Sequence, residues 1–367
     1  MTSVKRQRGV ILIVAMFVVV LVTALIVSVS WKFTLHMARY ESRWHGAVGQ
    51  AYLEGAEELA KKVLIEDAAQ GETDHPAEDW ATTDMTAPTD EGWVRAKLED
   101  AQGRFNLNLL LERREITQEE RKQAGFNPAL PENKYTSSQR RFIRLLQALP
   151  LEEPLDQSQA IEITEAVMDW LDTDSNPTGF GGAEQNYYDD LEIPYPISNG
   201  PMTSVSELAL VKGITPQMFV MMKPFLIVLG PTIPININSM RGEMMVMFNE
   251  KNDLTPLEPE DAAELIKLRN ERLFPGRDDP DASTDPALQQ EGQGYANPKE
   301  FGEDNEVFQR LGLTGENAID ENGLSAKSNF FILEAETMVG EQTRRGLSLL
   351  YRERNQVLVA RRTEQNF

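Results

Sequence analysis

The chain has 367 residues, 41% of them hydrophobic and 26% charged, with a formal net charge of -22. That length supports two or three compact units with a buried core, and the acidic excess argues against a nucleic-acid binder, which needs a basic footprint to displace counterions. The absence of cysteine excludes a disulfide framework and a thiolate metal site, without fixing the compartment.

The first predicted element is a long helix. Lys5, Arg6 and Arg8 stand just before Gly9, and the 22 residues from Val10 to Trp31 carry no charge. As a helix they reach about 33 Å, enough to cross a hydrocarbon core. The basic flank places the N-terminus in the cytoplasm. Length and flank argue against a buried core helix, and no small-x-small site closes the run as in a cleaved secretory signal. A plain signal anchor is the simplest competitor. With its charges ending at Gly9, the segment looks like a type IV prepilin leader, which a membrane peptidase cuts after the glycine to leave Val10 as the first mature residue. Glycine lets an extended backbone enter the peptidase unobstructed. The fifth mature position, where most pilin-like proteins carry glutamate, is Val14.

Beyond the apolar run, Lys32 to about Ile65 contains no proline, and Trp44, Val48, Ala51, Gly55, Leu59 and Val63 recur at helical spacing. Glu41, Arg43, Glu54, Glu57, Glu58 and Lys61 mark the opposite, solvated face. A continuous helix from Val10 to Ile65 would be about 84 Å long, half in lipid and half on a folded head. Residues 66–92 read as a polar loop. Trp93–Leu98 and Phe105–Leu109 then read as a hairpin turning at Asp100–Gly103.

The middle, 110–325, reads mostly helical: "SSQRRFIRLLQAL", "DQSQAIEITEAVMDWL", "SVSELALVKG", "TPQMFVMMKPFL" and "PEDAAELIKLRNERL". "TSVSELALVKGITPQMF" has the form of a helix-hairpin-helix turn, with Gly213 and Ile214 at the bend, and 296–314 echoes it. In so acidic a chain this motif suits packing or protein contact better than a DNA clamp. Three strands are predicted near 329–339, 343–353 and 356–362, with alternation in Phe331, Leu333, Ala335 and in Leu347, Leu349, Tyr351.

The stretch "DWLDTDSNPTGFGGAEQNYYDDL" (169–191) gathers oxygen ligands on a glycine-rich loop, which is what Ca²⁺ favours. Asp172, Asp174 and Glu184 are the first candidates, with Asp169, Asn186 and Asp189 as further ligands or supports. The spacing is not that of an EF-hand, and a solvated acidic loop is the plain alternative. His36, His45 and His75 are scattered, and no HExxH, GxSxG or P-loop occurs, so no catalytic site is expected.

Taken together, "RQRGVILIVAMFVVVLVTAL", "MDWLDTDSNPTGFGGAEQNYYDDL", "SVSELALVKGITPQMF" and "PININSM", in this order, resemble the general secretion pathway protein K family, the large minor pseudopilin of bacterial type II secretion systems. The family lacks the fifth-position glutamate, as Val14 does here. The resemblance implies an α+β fold: a pilin-like long N-terminal helix, a small antiparallel sheet head, and a large inserted all-α domain of two SAM-like or helix-hairpin-helix-like subdomains. Its map is a leader at 1–9, a transmembrane half-helix at 10–31, a periplasmic half at 32–65, a head at 66–109 and 326–367, and an insert at 110–325. It further implies calcium at the acidic loop and processing at Gly9 and Val10, with N-methylation of Val10. The location would be the inner membrane, single-pass, with a periplasmic bulk. The expected partners are two other minor pseudopilins and the prepilin peptidase, not nucleic acid, and the expected role is capping and initiating a pseudopilus. Two rival readings are a signal-anchored, calcium-binding periplasmic protein with an unrecognised hydrolase activity, and a membrane-tethered DNA receptor.

Overall fold

The structure, a computed structural model, describes residues 8–82, 85–122, 125–128, 130–276, 292–354 and 356–363. One helix, α1, runs from Arg8 to Gln70, five residues beyond the expected end. Its stretch from Val10 to Gln70 is long and apolar enough to cross a membrane. Strands β1 (Met85–Thr89) and β2 (Gly92–Asp100) follow, then the short pieces β3 (Phe105–Asn106), β4 (Leu226–Ile227), β5 (Ile235–Asn236) and β6 (Leu324–Ser325). The chain ends in β7 (Phe330–Val339), β8 (Gln342–Glu353) and β9 (Gln356–Thr363). The five-stranded sheet has the order β1-β2-β7-β8-β9. Between β2 and β7 the chain leaves the sheet for the predominantly helical insert.

Two compact units are distinguished: residues 1–56, 85–96 and 335–345, and residues 57–84, 97–334 and 346–367. In the first, every side chain of α1 from Val10 to Arg43 is exposed. The helix meets the sheet through small residues. A Cβ on Gly46 would lie 3.0 Å from Arg344 Nη2, and one on Gly49 would lie 3.3 Å from Thr337 Oγ1. This corrects the expected stripe: Trp44 and Leu59 face outward, and the packed face is Gly46, Gly49, Ala56, Ala60 and Leu64. Close approach of a helix to a sheet selects residues without bulk, which a count of large apolar residues passes over. Glu57, expected on the solvated face, is buried in the second unit, where Arg362 Nη2 donates to it at 2.7 Å.

The expected hairpin is also corrected. The hairpin lies one element earlier, β1 against β2, closed by Asp90–Glu91 with Thr89 opposite Gly92. A strand therefore occupies part of the stretch read as loop. Its sequence, "MTAPT", lacks alternation and carries a proline that an edge strand tolerates. A side chain on Gly92 would strike Met338 O at 1.8 Å, so the turn requires glycine. Phe105–Asn106 does not return along β2. Asp100 accepts from Gln102 N at 2.8 Å and starts a 3-10 turn, and β3 then pairs in parallel with β4.

In the second unit one large core cluster joins Phe105, Phe142, Ile143, Val167, Trp170, Met244, Leu265, Phe301 and Phe308. Its main helices are Ser137–Gln147, Gln157–Leu171 and Pro259–Leu273. The first two start with capping boxes, Thr136 with Gln139 and Asp156 with Gln159. Buried Arg144 donates to three carbonyls, Met247 O at 2.9 Å, Glu250 O at 2.6 Å and Asp253 O at 3.0 Å. The "PININSM" motif supplies β5, which pairs in parallel with β6, and two fully buried asparagines. Asn236 donates to Asp74 O and to Asp100 Oδ2, each at 2.9 Å, and Asn238 exchanges two bonds with the backbone of Tyr295. The two helix-hairpin-helix-like turns bend at Gly213 (φ +84) and Gly312 (φ +71), conformations that favour glycine. In the first of them the leading helix is a 3-10 segment, Val205–Leu210.

Candidate functional site

Helix Gln157–Leu171 ends at Asp172, whose backbone is extended (φ -86, ψ 174). Two side-chain turns in series follow. Asp172 Oδ1 accepts from Asp174 N at 3.1 Å, and Asp174 Oδ1 accepts from Asn176 N at 2.9 Å. The loop is then pinned back onto the helix by two fully buried carboxylates. Asp169 accepts from Thr178 N at 3.0 Å, and Glu165 Oε2 accepts from Phe180 N at 3.1 Å and Gly181 N at 2.9 Å.

The glycines are there because the loop lies so close. Gly179 sits at φ +61. A Cβ on Gly181 would fall 2.1 Å from Glu162 Cα, and one on Gly182 would fall 2.4 Å from Asp169 Oδ2. The loop returns through Ala183 to Glu184, which precedes the short helix Gln185–Asp189.

This fold brings oxygens of Asp172, Asp174 and Glu184 within 4.8 Å of one another. Arg113 Nη2 donates to Asp172 Oδ2 at 2.5 Å and to Asp174 Oδ2 at 2.8 Å. Glu184 is only 5% exposed, yet neither of its carboxylate oxygens has a hydrogen-bond partner. Burial pushes its carboxyl up to about 7, reinforced by the charges of Asp169, Asp172 and Asp174. Backbone donation from Asn176 holds Asp174 below the usual carboxylate range. A buried, unpartnered carboxylate beside two others fits a divalent cation held by oxygen.

The outer candidates fall differently. Asp169 is occupied by Thr178 and supports the loop, and burial raises its carboxyl. Asn186 and Asp189 lie exposed on the following helix, outside the three-carboxylate grouping, and Asp189 accepts from Gln185 Nε2 at 2.7 Å. Sequence reasoning missed Arg113. Its only signal was a pair of arginines after the Leu107–Leu111 turn, far away in the chain.

A second grouping, Asp67, Asp74 and Glu78, was also not foreseen. Arg352 donates to Asp67 Oδ2 at 2.7 Å, to Asp74 Oδ1, and to Ser328 O at 2.9 Å, and its guanidinium lies 4.7 Å from the ring centre of Phe331. Glu78 Oε2 accepts from His75 N at 3.0 Å and Trp80 Nε1 at 2.6 Å. Burial pushes the Glu78 carboxyl up to about 7.

The processing pair Gly9–Val10 lies in the first turn of α1, whose backbone N–H groups have no partner within the helix. Val14 is exposed. At the helix-hairpin-helix-like turn, Lys212 Nζ donates to Gly181 O at 3.0 Å and lies 5.1 Å from the ring centre of Tyr187. A lysine engaged in this way is a poor phosphate ligand.

A family model described as Type II secretion system (T2SS), protein K, matches residues 103–232. The type II secretion system protein K of Pseudomonas aeruginosa is 30% identical over 283 residues, covering 75% of this chain and 76% of that protein. The Aeromonas hydrophila protein of the same name is 26% identical over 254 residues, covering 68% and 72%. A chain in the crystal structure of the GspK-GspI-GspJ complex from the enterotoxigenic Escherichia coli type 2 secretion system shares the fold. Its TM-score is 0.61 at 21% identity, over 89% of this chain and 98% of that one.

Proposed function

Since the chain belongs to the type II secretion system protein K family, we propose that it is the minor pseudopilin that caps a pseudopilus tip and helps initiate its assembly. In this reading α1 crosses the inner membrane once, with the N-terminus cytoplasmic and the bulk periplasmic. A prepilin peptidase cuts between Gly9 and Val10, and the new amino terminus of Val10 is methylated. Two other minor pseudopilins are the partners, in keeping with the GspK-GspI-GspJ complex of the Escherichia coli system.

The observation that carries this reading is the helix itself. All its side chains from Val10 to Arg43 are exposed, and the charge-free surface from Val10 to Trp31 needs lipid or neighbouring helices to cover it. Val14 sharpens the placement. In pilins a glutamate at this position is thought to pair with the amino terminus of a neighbouring subunit, which offsets a charge that is costly at membrane depth. A terminal subunit needs no such pair, and the large insert suits an end better than a repeat. Trp44 and Leu59, exposed on the outer face of α1, are the side chains offered to partner helices.

We further read Asp172, Asp174 and Glu184 as the residues that hold Ca²⁺. The ion would neutralise three converging carboxylates and lock the loop; it would do no chemistry on a substrate. The carboxylates of the Asp67 grouping are already bonded to Arg352, His75 N and Trp80, which disfavours a hydrolytic role for them, and the engaged Lys212 disfavours the DNA-receptor reading.

The test is the mass and N-terminal residue of the membrane-extracted protein. The mature chain should begin at Val10, and Gly9→Leu should leave a precursor nine residues heavier and abolish secretion. A wild-type protein that retains Met1 in the membrane, with secretion intact, would overturn the reading.

A further inference from the structure

Each aspartate of the grouping divides its two oxygens between two tasks. The Oδ1 atoms of Asp172 and Asp174 accept backbone N–H groups and shape the loop, while the Oδ2 atoms both face Arg113. One guanidinium nitrogen thus spans two of the three carboxylates. Glu184, within 4.8 Å of both, receives nothing, although it is buried. A planar donor arriving from one side cannot serve three converging carboxylates, whereas a compact ion among them can.

The arginine is also free to leave. It comes from the exposed segment Glu112–Glu115, and its side chain is 54% exposed. It lines a polar cavity of about 640 Å³ whose wall carries both signs of charge, Glu112, Glu115 and Glu132 beside Arg114 and Lys251, with Asp320 already paired to Arg140.

Resting on the calcium reading above, we propose that Arg113 and a divalent cation are alternative partners of Asp172 and Asp174. The guanidinium offsets their charge when no ion is bound, and an ion held by all three carboxylates displaces it into the adjoining polar cavity, open to water. Arg113 is therefore a tethered competitor that sets the calcium concentration at which the loop responds. It also links occupancy of the loop to the mobility of residues 112–117.

A half-exposed unit charge a few ångströms from a divalent ion, at near-water dielectric, corresponds to roughly a tenfold change in Kd. The test is calorimetric titration of CaCl₂ into the full-length, detergent-solubilised protein, as wild type, Arg113→Gln and Arg113→Lys. Arg113→Gln should bind about tenfold tighter, with Arg113→Lys close to wild type. As an independent readout, amide hydrogen exchange in wild type should speed up over 112–117 on adding Ca²⁺ while slowing over 172–184. An unchanged or weaker Kd in Arg113→Gln, with wild type binding Ca²⁺, overturns the competition and leaves the calcium reading standing. Binding by Arg113→Gln alone supports the competition and overturns calcium as the wild-type ligand. No binding by either protein overturns both.

Discussion

In the Asp67 grouping an arginine bridges two aspartates beside a glutamate whose carboxyl is raised to about 7, and the Asp172 grouping repeats the arrangement. Their surroundings differ. Arg352 is 8% exposed, stacked near Phe331 and bonded to a carbonyl as well as to both aspartates, and Glu78 takes two N–H donors. Arg113 is 54% exposed, and Glu184 has no donor. The first set is closed on itself and holds the end of α1 in the second unit. The second set leaves both Glu184 oxygens without a hydrogen-bond partner. Proximity of carboxylates is therefore common to both sets, and the unpartnered buried oxygens of Glu184 are what the calcium proposal rests on.

The sharpest way to break the contrast is to remove each arginine. Arg352→Met strips buried Asp74 and half-buried Asp67 of their guanidinium and should cost about 3 kcal/mol, with no recovery on adding Ca²⁺. Chemical denaturation with and without the ion measures it. Recovery by Ca²⁺ would make the closed set a second cation site.

Another test probes the closed set by pH. Glu78 has its carboxyl raised from 4.5 to about 7, so between those values the folded state keeps a proton that the unfolded state releases. Stability should fall as pH rises from about 4.5 to 7 and then level off, by up to about 3 kcal/mol. Glu78→Gln should remove its share of that slope and leave the share of Glu184, whose carboxyl is also raised to about 7, as measured by thermal melts across this range. A slope undiminished in the variant would assign the whole effect to Glu184, raised to about 7, and Asp100, raised to about 6.

The smallest effect concerns the crest of the acidic loop. Phe180 is fully exposed, while its N–H is held by Glu165. Phe180→Ser should change stability by less than about 0.5 kcal/mol and leave calcium affinity unchanged, because backbone bonds and close-packed glycines hold the loop. A marked loss of either would show that the side chain has a folded-state contact.

Much of this was legible in the sequence. The long helix, the three C-terminal strands and the Asp172–Glu184 loop follow from runs of residues whose chemistry is local. Charge-free length, alternation, and aspartates spaced for backbone turns all belong to this kind. What escaped depends on distant partners. The face of α1 that meets the sheet is marked by Gly46 and Gly49, which hydrophobic periodicity does not score, so the large apolar residues suggested the wrong side. Glu57 looked solvated because Arg362 and Ser348, its partners, lie about 300 residues away. Strand β1 hid behind a proline and three threonine or alanine positions. Arg113 sits 59 residues from Asp172, with no pattern to connect them.

The most direct measurement is thermal unfolding of the full-length, solubilised protein in Ca²⁺, in Mg²⁺ and in chelator, for wild type and for the Asp172→Ala/Asp174→Ala variant. An ion that binds only the native state adds about 2.7 kcal/mol at a hundredfold excess over Kd. Wild type should therefore melt several degrees higher in Ca²⁺ than in chelator. Mg²⁺ should do much less, because its strict octahedron suits this loop poorly. The double variant should lose the rise while keeping its helical signal. A wild-type melting temperature indifferent to Ca²⁺ and chelator alike would contradict the account and leave Asp172, Asp174 and Glu184 as an acidic loop offset by Arg113 alone.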